Sequence, residues 1–545
     1  MGIRFNKEGK EGRFGGVLNS IAVPQEPSFI NTFSKGSWKV LLFFSFFQLF
    51  FFHNAANLFA VAIVLLNWLV LTKFLLRPIN FSYYPLSTFL ILGFCLTQFY
   101  FPLVFTLIEG KPVVYNLIRP FDVFVHLILV FFVSIIAHAA YTMYLGKPGL
   151  RKQSILRHFG LFSPRTEKQI WLIGFIGLSA VMFTRLFAAA SANVILNKFV
   201  MGFMPFMYAP FLIPLSPLFG VKYSKSKTLT IQLIVYTIAV FVLGIIGNSR
   251  GALVSGLTAL GFSYFLGMLM GAVHFKIITF RNVMIGAFAI WFITGPLSDL
   301  SIAMLVVRGT RTEISSTELL NQTLETYKDK ETLKKYKAET SKSETSDIWD
   351  EGYLDNIFLA RFCNLKFNDN SIDGALRISD ENRAVFQNIQ IDRLLSILPT
   401  PLLRVFNINV NKEWVIASSL GDQLFSFTDG DENSIGGFRT GSFEGTGFAA
   451  FGWWYLLIFG VGMVPVFFLF DKLFIRIKIP AASPEQSPHF ESRISLCALL
   501  VINTIFQFLT MEGTLEIYSY LLRGWIQTVL LYLLVCRLSR IFSTL

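Results

Sequence analysis

The sequence predicts an all-α polytopic membrane protein that carries one large, partly helical extracytoplasmic loop domain, and three observations predict it. Of 545 residues, 53% are hydrophobic and only 15% charged, with 60 phenylalanines. Soluble domains carry about 25% charged residues, so a soluble enzyme, a disordered scaffold and a fibrous repeat are all disfavoured. Apolar runs that meet the requirement of about 20 residues for crossing a bilayer core recur along the chain, and about twelve can be marked. The basic residues, finally, gather in alternate loops.

Taken in order, residues 1–37 are polar, and the apolar run behind them lacks a small-residue cleavage site, so they read as a cytoplasmic tail. Apolar segments start near Trp38, Leu58, Pro85, Phe121, Ile170, Phe199, Leu229, Gly251 and Val283, which places transmembrane helices 1 to 9 in residues 38–300. The first is short enough to lie in the interface instead. The sixth holds Pro205, Pro210, Pro214 and Pro217. Proline removes a backbone donor and crowds the preceding turn, so that segment is expected to be kinked or re-entrant.

Residues 301–443 contain no spanning stretch and form the expected extracytoplasmic domain. Ser316 to Lys342 has helical spacing, whereas Asp369 to Asp373 and Asp429 to Gly437 read as turn-forming clusters. Helices 10 to 12 start near Glu444, Arg493 and Glu516 in residues 444–537, and residues 538–545 form a cytoplasmic C-terminal tail.

Lysine and arginine in short loops are retained on the cytoplasmic side. Lys73 with Arg77, Lys147 to Lys168, Lys222 to Lys227, Lys276 with Arg281, Lys472 to Arg493, and Arg537 with Arg540 all fall on one side, against Lys111, Arg119, Lys198 and Arg250 on the other. Both termini are therefore expected inside. The net charge of +13 is a loop asymmetry of this kind and points to membrane lipid as a partner, not to nucleic acid. The four cysteines are scattered, and no CxxC pair, Walker A loop, paired metal-spaced histidines or GxSxG elbow is present. No cofactor and no metal ligands are expected.

Charged side chains at a membrane edge need partners or a purpose. Arg185, Arg250 and Arg523 lie toward outward helix ends, and Arg308, Arg311 and Arg439 lie in the polar segment near its bordering spans. Six guanidiniums could thus gather on the outward side, where their planar donor forks match the oxygens of a diphosphate. Salt bridging to Asp299, Glu512 or Glu516 is the structural alternative for any one of them. Glu444 is the first choice of general base, set in Gly437-Phe438-Arg439-Thr440-Gly441-Ser442-Phe443-Glu444-Gly445-Thr446-Gly447, with Glu512 as the second.

In layout and in short motifs the chain resembles the bacterial polysaccharide repeat-unit (O-antigen) polymerases, the Wzy family, and more distantly the O-antigen ligases. The motifs are Ser249-Arg250-Gly251 at a span opening, Glu444-Gly445-Thr446-Gly447-Phe448-Ala449-Ala450-Phe451-Gly452 after the large loop, and Leu522-Arg523-Gly524-Trp525 near the end. The resemblance implies an inner-membrane glycosyltransferase with a GT-C-like bundle. Such an enzyme would join undecaprenyl-diphosphate-linked oligosaccharide units on the extracytoplasmic face without a metal, with a chain-length regulator as a further partner. It gives Arg250 a place on the diphosphate or glycan. The ligases are expected to use a histidine in their large outer loop, and residues 301–443 contain none. A ligase-type transferase and a lipid or anion transporter (flippase) remain the alternatives.

Overall fold

A computed structural model of the chain describes residues 28–145, 154–184, 199–223, 226–246, 250–273, 291–307, 316–341, 349–430, 434–437, 439–479 and 489–544, with single positions at 280, 284 and 288. Lipid offers no hydrogen-bond partners, so the apolar segments fold as helices that satisfy their own backbone. In chain order these are α1 (Ser28–Phe51), α2 (Ala55–Phe74), α3 (Pro85–Ile108), α4 (Pro120–Leu145), α5 (Glu167–Met182), α6 (Phe199–Phe219), α7 (Lys227–Ile246), α8 (Arg250–Leu269) and α9 (Ser298–Val306). The polar segment adds α10 (Ser316–Lys328), α11 (Lys330–Ser341), α12 (Leu365–Arg377), α13 (Asp380–Leu395) and α14 (Leu420–Thr428). The chain then continues through α15 (Phe443–Phe451), α16 (Trp454–Asp471) and α17 (Glu516–Ser543).

Among the described residues, seven helices are long and apolar enough to cross a membrane: α2, α3, α4, α6, α7, α16 and α17. The chain is thus a mainly helical, membrane-embedded protein. The expected span near Val283 lies largely outside the described residues. α3 is the most enclosed of the seven and carries a π turn at Leu96–Tyr100. Pro102 has no amide to continue the regular ladder, and the amide of Phe101 reaches back five residues to Leu96.

Several elements differ from expectation. The tenth span does not begin at Glu444. Gly452 adopts φ +54°, ψ −147°, a conformation open essentially to glycine alone, and so separates α15 from α16. The eleventh is not one helix but short pieces, Leu496–Leu500, Ile502–Phe506 and the 3-10 turn Phe508–Thr510, with most of its side chains buried. Irregular backbone is tolerated at membrane depth when protein encloses it. The proline-rich sixth segment does depart from the α form: Met204–Phe219 is 3-10 helix with Pro210, Pro214 and Pro217 inside it.

Asp369 to Asp373 is no turn. It lies within α12, where Asp369 and Asp373 accept hydrogen bonds from other segments and tertiary partners override local turn preference. The expected helix from Ser316 appears as α10 and α11, divided at Asp329. An antiparallel hairpin, β1 (Phe474–Ile479) with β2 (His489–Ile494), interrupts the all-helical pattern, as the alternation Phe-Ile-Arg-Ile-Lys-Ile favours.

The two ends of the bundle are tied by different chemistry. At one end the α3–α4 link holds the polar segment. Lys111 Nζ meets Asp355 at 2.8 Å, the amides of Ile118 and Arg119 donate to Asp369 at 2.8 and 2.7 Å, and Arg119 Nε meets Asp373 at 2.9 Å. At the other end the buried Asp471 accepts from Ser87 Oγ at 2.7 Å and Tyr141 OH at 2.9 Å, next to the hairpin.

Candidate active site

The glycine string after the polar segment folds as α15. Its start is capped by Ser442, whose hydroxyl accepts from the Gly445 amide. Gly445 is required by close approach: a Cβ there would lie 2.3 Å from the backbone of Ser371 in α12. The stretch 511–514 closes the other side. Phe443 N donates to Met511 O at 3.0 Å, Thr446 Oγ1 to Glu512 O at 2.6 Å, and Thr514 Oγ1 to Phe443 O at 3.1 Å.

This packing encloses Glu444, which is 1% exposed. Among the described residues Oε1 has no hydrogen-bond partner, although the carboxyl takes bonds from the Ser442 side chain and its own amide. Burial pushes its pKa up to about 8, against those two weaker opposing bonds. α15 precedes the spanning helix α16, and Glu444 lines a cavity of about 160 Å³ together with Gln98, Asn364, Asn368, Ser442 and Thr510. Gln98 comes from the π turn of α3 and accepts from Asn368 Nδ2 at 2.9 Å. A buried acid with one unmet oxygen, in a cavity walled by amides and hydroxyls, can exchange a proton with a hydroxyl-bearing ligand.

Thr510 and Met511 also line a second, more open cleft of about 530 Å³, which contains Arg523, Glu516, Gln507 and Tyr520. Arg523 is exposed on a π turn, Tyr520–Gly524, and no acidic side chain pairs with it among the described residues. Gln507 Nε2 also donates to the carbonyl of Arg361 at 3.4 Å. Arg361 in turn sits beside the start of α8: a Cβ built on Gly251 would lie 3.7 Å from Arg361 Nη1. No acidic partner holds Arg361 either, among the described residues. Nothing in its sequence setting singled it out; only the fold brings it next to Gly251.

The other candidates fare differently. Arg439 is an internal tie. Its guanidinium lies 3.5 Å from the buried Asp422, donates to Ser434 O at 3.0 Å and stacks on Phe425 at 4.1 Å. Glu512 accepts from the Leu420 amide at 3.0 Å and so caps α14. Burial raises its pKa, and the Leu420 amide and Arg393 oppose the rise. Asp299 pairs with Lys330 at 2.9 Å. Arg250 is the first residue of α8, but its side chain, like all of Arg185, Arg308 and Arg311, lies outside the described residues. Of the six arginines expected to gather, two have described side chains: Arg523, in the cleft beside the Glu444 cavity, and Arg439, which is engaged with Asp422.

A third space is apolar. A groove of about 660 Å³ lies between α1, α3 and α8, lined by Phe29, Phe33, Tyr100, Phe262, Phe265 and Phe506. Phe506 stacks on Phe262 at 4.0 Å and is followed directly by Gln507 of the arginine cleft. Comparison with protein-family models, curated proteins and solved structures finds no match to this chain.

Proposed function

We propose that this chain is a glycosyltransferase that joins polyprenyl-diphosphate-linked oligosaccharide repeat units into a polysaccharide, on the extracytoplasmic face of a bacterial inner membrane. The observation that carries this reading is Glu444: a buried acid with an unmet oxygen, in a polar cavity that shares a wall with an arginine-bearing cleft. The apolar groove beside Phe506 supports it, because a lipid-linked substrate needs a place for its tail.

In this reading an acceptor hydroxyl attacks the anomeric carbon of the donor sugar. The new C–O bond forms as the bond to the diphosphate breaks, and the hydroxyl proton passes to the Glu444 carboxylate. Negative charge grows on the leaving diphosphate, so cations aimed at it stabilise the transition state more than the bound substrate. Arg523 supplies one such cation, and Arg361 with Arg250 at the head of α8 supplies others. Glu512 acts through structure, by holding α14 in place. Arg439 does the same through Asp422.

The test uses purified full-length protein in lipid nanodiscs with lipid-diphosphate repeat units from its own source, and resolves the products by length. Wild type should give a ladder, and Glu444→Gln should lose it while remaining folded. A ladder of undiminished intensity from Glu444→Gln removes Glu444 from the chemistry. Failure of wild type on a confirmed native substrate sinks the transfer reading.

A further inference from the structure

We infer that the cavity at Glu444 is a selective subsite for a neutral, hydroxyl-bearing sugar ring, and that Asn364 and Glu444 are the residues that select it. The inference rests on the transfer reading and goes further, to which class of sugar is admitted. Two side chains that line this one space, each at least nine-tenths buried, carry polar atoms with no hydrogen-bond partner among the described residues: Asn364 Nδ2, a donor, and Glu444 Oε1. The amide donor calls for an acceptor on the ligand, and the carboxyl oxygen calls for a donor. A hydroxyl is both, and a pyranose carries several on one rigid frame. An ammonium offers donors only and leaves Asn364 unmet. An ionised carboxylate offers acceptors only.

Charge points the same way. Among the described residues no lysine or arginine lines the cavity. Besides Glu444 a second carboxylate, Glu351, stands at its edge and accepts from the Thr440 amide at 2.7 Å. An ionised sugar carboxylate entering there gives up its hydration and finds no lining cation in exchange, so it is disfavoured. Gln98 contributes by position: the π turn of α3 sets its amide against Asn368, and this orders the wall opposite α15.

The experiment measures binding, not turnover. Full-length protein in nanodiscs is titrated with the methyl glycosides of a neutral hexose, of glucuronate and of glucosamine, followed by saturation-transfer NMR. The neutral glycoside should bind, the other two at least about tenfold more weakly, and Asn364→Ala should lower neutral binding by roughly tenfold, the value of one buried hydrogen bond left unmade. A second readout does not depend on Asn364→Ala folding. The native cysteines are buried, so Thr440→Cys adds one addressable thiol at the cavity, and the neutral glycoside should slow its alkylation.

Equal binding of all three glycosides overturns the inference. So does glucuronate or glucosamine binding more tightly, or an absence of protection by the neutral glycoside. A product ladder made without this selectivity would leave the transfer reading standing and the subsite refuted. Selectivity without a ladder would do the reverse.

Discussion

Replacing Glu444 by glutamine isolates the property that the proposed chemistry uses. An acid whose midpoint moves from 4.5 in the unfolded chain to about 8 in the fold binds its proton more tightly when folded. Below pH 4.5 both states are protonated and the residue carries no ionisation penalty. As pH rises from 4.5 toward 8 the folded state becomes progressively less stable, and above 8 the full difference is reached, about 5 kcal/mol at 1.36 kcal/mol per pH unit. Glutamine is neutral throughout and of similar shape. The stability advantage of Glu444→Gln over wild type should therefore grow between pH 5 and pH 9, with about 5 kcal/mol as its ceiling. Tryptophan fluorescence during unfolding in detergent, with nine tryptophans as reporters, follows this difference. Infrared spectroscopy reads the same group directly, since a protonated carboxyl band absent from Glu444→Gln should vanish near pH 8. Activity must follow the opposite limb, because only the ionised form takes a proton: wild-type transfer should rise with pH up to about 8. The glutamine variant should lose about 10² to 10⁴ of the plateau rate reached above pH 8, and the gap to wild type should narrow as pH falls. A stability gap independent of pH, or a carboxyl band already lost by pH 6, would falsify the argument.

Further predictions separate chemistry from support. Arg523→Ala and Arg361→Ala should each cut transfer by on the order of 10² to 10³, the effect of removing one donor from a developing anion, with little change in unfolding midpoint. Arg439→Ala should do the opposite: removing the partner of the buried Asp422 should cost about 2 kcal/mol of stability, seen in unfolding, while the KM for the lipid-linked donor stays within about twofold. Gly445→Ala should destabilise by about 1–3 kcal/mol, because its methyl group meets the Ser371 backbone at 2.3 Å; a variant as stable as wild type would mean that α12 and α15 are not packed so closely.

The broad form of the molecule was readable in its residues. Apolar runs of sufficient length must become helices in lipid, and the proline-studded stretch from Met204 had to leave the α form because its prolines bring no amides. The alternating Phe474–Ile479 carries a strand signal that the membrane composition obscured. Local pattern failed where distant partners decide. Asp369 and Asp373 are turn formers by type, yet the amides of Ile118 and Arg119 and the guanidinium of Arg119 hold them inside a helix. Arg361 carried no motif at all, and what makes it a candidate is its place beside Gly251 and Gln507.

The sequence by itself determined the solvent, the mainly helical response to it and the short list of acids and arginines worth considering, because transfer free energy and backbone satisfaction depend on composition and run length. Only the tertiary structure decided among them. Glu444 and Glu512 are the same residue type near the same helix ends. The Leu420 amide and the charge of Arg393 engage Glu512, whereas Glu444 lines a polar cavity and its Oε1 has no partner among the described residues. Arg439 and Arg523 are likewise equal by type, and one has Asp422 against it while the other opens onto a cleft. The physical reason is that an ionisable group's role is set by what stands opposite it, and those neighbours come from segments far away in the chain.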